Sequence, residues 1–479
     1  MDKKNKDYLL RFWLLLILVA LGLVVLYFLP SQIGPWEMNK VDLLSDLRYE
    51  EPDTIAADAT EAVRLSEGAR KDNAKVRRRE AIYERLKNEA EGGTSSASSV
   101  DSATIESNTI IDMTAEHDGL RGFFAQLRRR GSLGRPVRIA ILGDSFIEGD
   151  IFSGSLLSGS LRAKLQARYG GSGVGWMPLT SETAGFRRTI KHEFKGWKEY
   201  KQLRTKGSYP LTGHYYTGQV GDWVRYTVPK GDKPFELATL YYKASQPITL
   251  SVRTNGGDPT NLELPATDGS ALSAYRIAEG QLTSLQFSLI SGASGFVCYG
   301  VSLDGSSGIA VDNFSTRGNS GLPLGSVNTE LNQAFTSAHP YDLVILQYGL
   351  NVISPKQMDY SGYTKQMGKA ISHLRSSMGR VEFLILGVSD RGKKSGGEVV
   401  TMPAAKSLEQ AQIRLAAEQG VTFWSTRAAV GRLGGIGKLA ERGWAAKDYT
   451  HLSHRGGDEL AGQFLDAFLL EEKYYDAIK

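Results

Sequence analysis

The run Val137-Arg138-Ile139-Ala140-Ile141-Leu142 is an apolar strand that stops abruptly on the turn Gly143-Asp144-Ser145. The turn places a serine at the carboxyl end of a strand and just before a helix, the position at which open α/β sheets set their chemistry. Alone, three residues are a weak signal, and the plain reading is a polar turn that caps the following helix.

Three later segments change the balance. Tyr341-Asp342-Leu343-Val344-Ile345-Leu346-Gln347-Tyr348-Gly349-Leu350-Asn351 is a second buried-type strand, and it ends in Gly-x-Asn. Arg317-Gly318-Asn319-Ser320-Gly321 precedes it, and Asp448-Tyr449-Thr450-His451 lies near the C-terminus. In chain order the four blocks resemble those of the SGNH (GDSL-type) hydrolases, and the resemblance spans roughly 116–479. It implies a flavodoxin-like, three-layer α/β sandwich built on a parallel sheet.

A serine hydroxyl is a poor nucleophile at neutral pH unless an imidazole takes its proton. That imidazole must be held in one tautomer by an acceptor on its other nitrogen. Ser145 fits the nucleophile, His451 the base and Asp448 the acceptor, and the spacing of three lets one turn of backbone present the last two. Charge that develops on a substrate carbonyl oxygen needs preorganised donors, each worth about 3 to 4 kcal/mol. The resemblance assigns these to the backbone N–H groups of Ser145 and Gly321 and the side-chain amide of Asn351.

Other readings of the same residues stand beside these. Asp448, His451 and His454 are spaced like metal ligands but form a partial set, so the sequence predicts no metal and no cofactor. Asn351 also suits a helix cap, and Asp144 reads as a structural hydrogen-bonding partner in its turn. His117, His192, His214, His339 and His373 carry no motif, and surface or hydrogen-bonded structural roles are their default.

The N-terminus sets the expected location. Residues 12–29 are an unbroken apolar run of eighteen, preceded by Lys3, Lys4, Lys6 and Arg11. That is at the short end of a bilayer span with a basic cytoplasmic flank, and no small-x-small cleavage site follows. The expectation is a single-pass N-terminal transmembrane helix in a bacterial inner membrane, with the catalytic part facing the periplasm. The lone Cys298 cannot form an internal disulfide, so stability must come from packed cores.

Between anchor and first block, residues 61–91 interleave nine Lys and Arg with seven Asp and Glu, and Gly92-Gly93-Thr94-Ser95-Ser96-Ala97-Ser98-Ser99 follows. This reads as a charged, solvated, partly helical stalk and a Ser-rich linker over 31–115, a better description than a phosphate-binding face; no nucleic acid is expected. The formal net charge of +5 adds only attraction to anionic lipid or wall polymer.

After the serine block a helix is expected over 154–169, and then the pattern changes. Short strands at 223–228, 235–242, 248–253, 285–290 and 296–301, separated by Gly, Pro and Asp turns, read as a β-sandwich insert over 184–305. Alternation then resumes with helices near 324–337, 357–378 and 403–419 and strands at 341–348, 381–386 and 421–424, the pattern of a parallel sheet with helices on both faces. The hydrolase domain is thus expected over 116–183 and 306–479.

Glu148-Gly149-Asp150, the run Tyr169-Gly170-Gly171-Ser172-Gly173-Val174-Gly175-Trp176, the insert ahead of Gly321, and Gly434-Gly435-Ile436 ahead of Asp448 together resemble the peptidoglycan O-acetylesterases of Gram-negative bacteria. Phe146 departs from that pattern, which often has a polar residue after the serine. The resemblance implies a carbohydrate-binding-module-like insert and an esterase that removes acetyl groups from peptidoglycan or another surface glycan. Two alternatives stay open: an O-acetyltransferase that uses the same acetyl-enzyme, and a tethered glycan-binding protein with a vestigial site.

Overall fold

The computed structural model describes residues 32–33, 36–37, 79–82, 84, 108–150, 160–268 and 272–478. The expected transmembrane run 12–29, the Ser-rich linker 92–99 and the start of the helix expected at 154 lie outside the described residues. Among the described residues, no helix is long and apolar enough to cross a membrane. The chain divides into two compact units, 1–55 and 56–479. In the first, Gln32–Ile33 pairs antiparallel with Trp36–Glu37.

The second unit opens with β1 (Ile111–Asp112), α1 (Arg121–Arg128), β2 (Val137–Gly143), α2 (Leu161–Tyr169) and β3 (Gly173–Met177). Then come β4 (Lys191–Lys195), β5 (Lys198–Lys201), β6 (His214–Thr217), β7 (Trp223–Thr227), β8 (Phe235–Ala244), β9 (Ile248–Thr254), β10 (Thr260–Leu264), β11 (Ser273–Leu282), β12 (Ser284–Ser291) and β13 (Phe296–Asp304). The chain returns through β14 (Ile309–Ser315), α3 (Thr329–Ala338), β15 (Leu343–Gln347), α4 (Ser361–Met378) and β16 (Glu382–Leu386). A hairpin, β17 (Gly392–Ser395) and β18 (Glu398–Thr401), precedes α5 (Pro403–Gln419), β19 (Thr422–Trp424), α6 (Thr426–Arg432), α7 (Gly435–Glu441) and α8 (His454–Ala477).

One sheet has the order β14-β2-β15-β16-β19-β1. Its first five strands are parallel and β1 closes the edge antiparallel. Every residue of β2 and β15 is buried, so side chains on both faces of these strands are covered, as expected of a parallel sheet between helical layers. With the intervening β segment passed over, the five parallel strands have the flavodoxin-like order 2-1-3-4-5. Its switch point lies between β2 and β15, where ligands bind in such sheets.

Among the elements absent from the sequence expectations, two bear directly on the parallel sheet. One is β14, which pairs with β2 along its whole length; its charged and polar Asp312 and Asn313 break the apolar pattern by which the other strands are read. The other is α8, whose buried Leu460, Ala461, Phe464, Ala467 and Phe468 recur at helical spacing. Phe468 meets Phe123 and Phe124 of α1, and Phe464 meets Trp424.

The β-rich segment forms two antiparallel sheets, β11-β8-β13-β6-β5 and β10-β9-β12-β7-β4, around a core of its own. The strand β3, on the hydrolase side of the boundary expected at 184, pairs with β13 in the first of these sheets. The seam between this segment and the parallel sheet is polar and buried. Arg138 of β2 reaches Asp304 of β13 at 3.0 Å and Asp312 of β14 at 3.5 Å. Asp312 also accepts hydrogen bonds from His339 Nε2, the Tyr341 hydroxyl and the Trp176 N–H, each at 2.8 Å, while the Tyr241 hydroxyl donates to His339 Nδ1 at 2.6 Å. Burial alone would raise the Asp312 carboxyl; Arg138 and His339 outweigh it and hold it below the usual carboxylate range.

The charged segment expected to be a solvated stalk is in part buried. Arg79 is 8% exposed, pairs with Glu471 of α8 at 2.7 Å and Asp112 of β1 at 3.2 Å, and lies over the Tyr474 ring. The sequence pattern showed alternating charge but not that two carboxylates wait for Arg79 beneath α8.

Candidate active site

The fold brings Ser145 and the Asp448–His451 turn together across 306 residues of chain. Ser145 Oγ lies 2.9 Å from His451 Nε2, and His451 Nδ1 lies 2.7 Å from Asp448 Oδ2. A carboxylate on Nδ1 keeps the proton there and leaves the Nε2 lone pair to accept from the serine hydroxyl, the tautomer a general base requires. The turn is built locally. Asp448 Oδ1 accepts from the backbone N–H groups of Thr450 at 2.9 Å and His451 at 3.1 Å, and Tyr449 takes a left-handed φ of 53°.

Neighbouring elements fix this turn in place. Gly392 N–H of the β17–β18 hairpin donates to Tyr449 O at 2.8 Å, and Ala446 N–H donates to His451 O at 2.7 Å. Two residues beyond His451, the Ser453 side chain caps α8 by accepting from Gly456 N–H. Burial works to raise Asp448, but hydrogen bonds from His451 and Thr450 leave it below the usual carboxylate range. Asp448 is therefore charged at neutral pH.

Ser145 is 9% exposed, and the rest of its turn is tightly held. Asp144 is fully buried, accepts from Phe146 N–H at 2.9 Å and receives the Asn351 amide at 3.0 Å. Burial pushes its carboxyl up to about 6. Asn351 Nδ2 also donates to Asn319 O at 3.1 Å, so both its amide hydrogens are engaged. Gly321 N–H donates to Asn319 Oδ1 at 2.9 Å. The three donors expected to hold an oxyanion thus lie on loops after β2, β14 and β15, with the Gly321 and Asn351 groups satisfied by the protein itself. Gly321 has a φ of +87°, and a Cβ there would come 2.8 Å from the Tyr348 ring, so no other residue fits without displacement.

Asp150 belongs to the same assembly, and the sequence marked it only through its Glu148-Gly149-Asp150 motif. Its carboxylate takes Arg187 at 2.9 Å, Arg162 at 3.3 Å and Asn313 Nδ2 at 2.8 Å, joining the serine loop to α2, β14 and the start of the β segment. Burial would raise it, yet Arg162 and Arg187 hold it well below the usual carboxylate range.

His454 is the first residue of α8, and among the described residues no group of three or more His, Cys, Asp or Glu could hold a metal ion. The other histidines each make a hydrogen bond: His117 with Asp112 O, His192 with Leu179 O, His373 with Val327 O, and His339 within the seam. His214 bridges Glu199 and Thr316 at 2.8 and 3.1 Å, linking β6 to the loop after β14.

No family model matches this chain, and no curated protein matches it in sequence. Among solved structures, it is similar to a peptidoglycan O-acetylesterase with a TM-score of 0.61 and 23% identity, over 76% of this chain and 99% of that one. It also aligns with an acetyl xylan esterase (TM-score 0.27, 17% identity, 33% of this chain and 81% of that one). A family two carbohydrate esterase from Cellvibrio japonicus gives a TM-score of 0.24 and 10% identity, over 60% of this chain and 100% of that one. The first likeness is one of fold; the other two are too slight to bear on fold or site.

Proposed function

We propose that this protein is a serine esterase that removes O-acetyl groups from peptidoglycan or a related cell-surface glycan. The observation that carries the reading is the continuous relay from Asp448 through His451 to Ser145, at 2.7 and 2.9 Å. The fold shared with a peptidoglycan O-acetylesterase supports the choice of substrate.

Ser145 Oγ attacks the acetyl carbonyl as His451 Nε2 takes its proton. The tetrahedral oxyanion meets Ser145 N–H first; it recruits Gly321 N–H and the Asn351 amide by displacing Asn319 and Asp144 from them. The C–O bond to the sugar then breaks and His451 returns its proton to the departing hydroxyl. Water, deprotonated by the same imidazole, attacks the acetyl-enzyme, releasing acetate and restoring Ser145. Asp448 holds the imidazole and stabilises its cation throughout.

The test is acetate release from O-acetylated peptidoglycan by the full chain and by Ser145→Ala. Release by the first and its loss in the second is the expected result; equal release by both overturns the reading. The proposal places the enzyme at the inner membrane through residues 12–29, facing the periplasm. Protease added to spheroplasts should then digest the C-terminal region while the N-terminus stays uncut at residue 30; full protection would exclude that topology.

A further inference from the structure

A cavity of about 120 Å³ lies between the β segment and the carboxyl end of β14. Its walls come from both parts of the molecule: Thr180, Arg187, Leu203 and His214 on one side, Phe314 and Thr316 on the other. It also abuts the nucleophile. Glu148, in its wall, sits on the serine turn with its N–H on Ser145 O at 3.3 Å, and Thr316 N–H donates to Gly143 O at 3.0 Å.

The wall is charged but balanced. Arg317 pairs with Glu148 at 2.6 Å, Arg187 with Asp150 at 2.9 Å, Lys201 with Glu182 at 2.7 Å, and Arg204 with Glu182 at 3.4 Å. Each lining Arg and Lys is thus matched by a carboxylate, so a phosphate or a uronate finds no spare cation. Among the buried polar atoms of the lining residues, Thr180 Oγ1 and Arg187 Nε have no hydrogen-bond partner, and the Arg187 side chain is only 6% exposed. Buried polar atoms without partners are costly to keep, and a ligand hydroxyl or amide carbonyl seated against this wall is the kind of group that would supply a partner. In the same wall Leu203 is an exposed large apolar side chain, 39% accessible, the complement of the C–H face of a sugar ring, while Phe314 is largely buried against Trp176 and Tyr341.

We propose that this cavity is a subsite for a neutral pyranose carrying hydroxyl or acetamido groups, the unit next to the acetylated sugar. The inference rests on the esterase reading for the word "next", while the binding itself does not. Remote binding energy of this kind is realised on oligosaccharides and absent for a small ester.

The experiment titrates the full chain carrying Ser145→Ala with a β-1,4-linked N-acetylglucosamine tetramer, and in parallel with a galacturonic acid tetramer, by calorimetry. The neutral tetramer should bind and the uronate should not. Added to that background, Thr180→Val should weaken binding about three- to tenfold, and Leu203→Glu about tenfold or more. In the active chain, the same two substitutions should lower the ratio of kcat/KM on an O-acetylated oligosaccharide to that on 4-nitrophenyl acetate. No binding of the neutral tetramer, preference for the uronate, or binding indifferent to both substitutions overturns the subsite. If the tetramer binds as described but no ester is hydrolysed, the esterase reading fails and the subsite stands.

Discussion

The catalytic turn and the seam beneath the β segment both join a histidine to an aspartate, and they are opposites in construction. In the turn, His451 and Asp448 are three residues apart with side chains 40% and 49% exposed. In the seam, His339 and Asp312 are 1% and 0% exposed, and their partners include Arg138 and Tyr241 from distant stretches of chain. An exposed pair is screened by water and contributes little to stability, so on the proposed function its value is chemical: the base stays reachable by substrate and water. A buried charge that loses its partner is expensive, so the seam's value is mechanical, holding two sheets in one relation. Under the proposed function, the same residue types serve catalysis or cohesion according to their access to solvent.

The sharpest way to break this comparison is to truncate the turn. Ser145→Ala and His451→Ala should each lower kcat on a short acetyl ester by about 10⁶, with wild-type denaturant unfolding curves. A catalytic loss that tracks a loss of stability would erase the distinction. In the seam the pattern should reverse: Arg138→Ala leaves Asp304 and Asp312 buried without their cation, and unfolding free energy should fall by about 3 to 5 kcal/mol. A cost below about 1 kcal/mol in urea titration would mean that the seam is not load-sharing.

Asn351 tests the boundary between the two regions, because its amide, an oxyanion donor in the proposed mechanism, is held by buried Asp144. Asn351→Ala should lower kcat by about 10² to 10³, measured on a small ester so that glycan contacts do not contribute. An unchanged kcat would reduce Asn351 to a structural partner of Asp144.

The smallest expected effect is on acid stability. The folded state depresses the Asp150 carboxyl, and an unfolded aspartate titrates near 4. Stability from this group is therefore fully present above about pH 4 and is lost as pH falls further through the depressed folded value. The loss is on the order of 2 kcal/mol. Urea unfolding from pH 6 down to pH 3 should show a shallower decline for Asp150→Asn than for wild type, and parallel curves would remove Asp150 from the account.

Much of the site was legible because its parts are local. The turns after β2 and β15 announce themselves as apolar runs broken by Gly-Asp-Ser and Gly-x-Asn, and the acid and base share one turn. What escaped was assembled at a distance. Glu382 of β16 accepts from Gly122 and Phe123 N–H at 2.7 and 2.8 Å, capping α1 from 260 residues away, with its carboxyl pushed up to about 7 by burial. Asn319 occupying the Gly321 donor could be suspected from an Asn two residues before a Gly, but the Asp144–Asn351 contact has no local signal.

By itself the sequence determined the alternation of elements, the interruption by short strands, and the residue types of the relay, since periodicity and short spacing are properties of adjacent residues. Only the tertiary structure decided that β14 lies beside β2, that Asp150 and Asp312 tie the β segment to the sheet, and that Arg79 is buried beneath α8. Burial and charge pairing belong to residues far apart in the chain, and their energies exist only once the sheet and helices have closed around them.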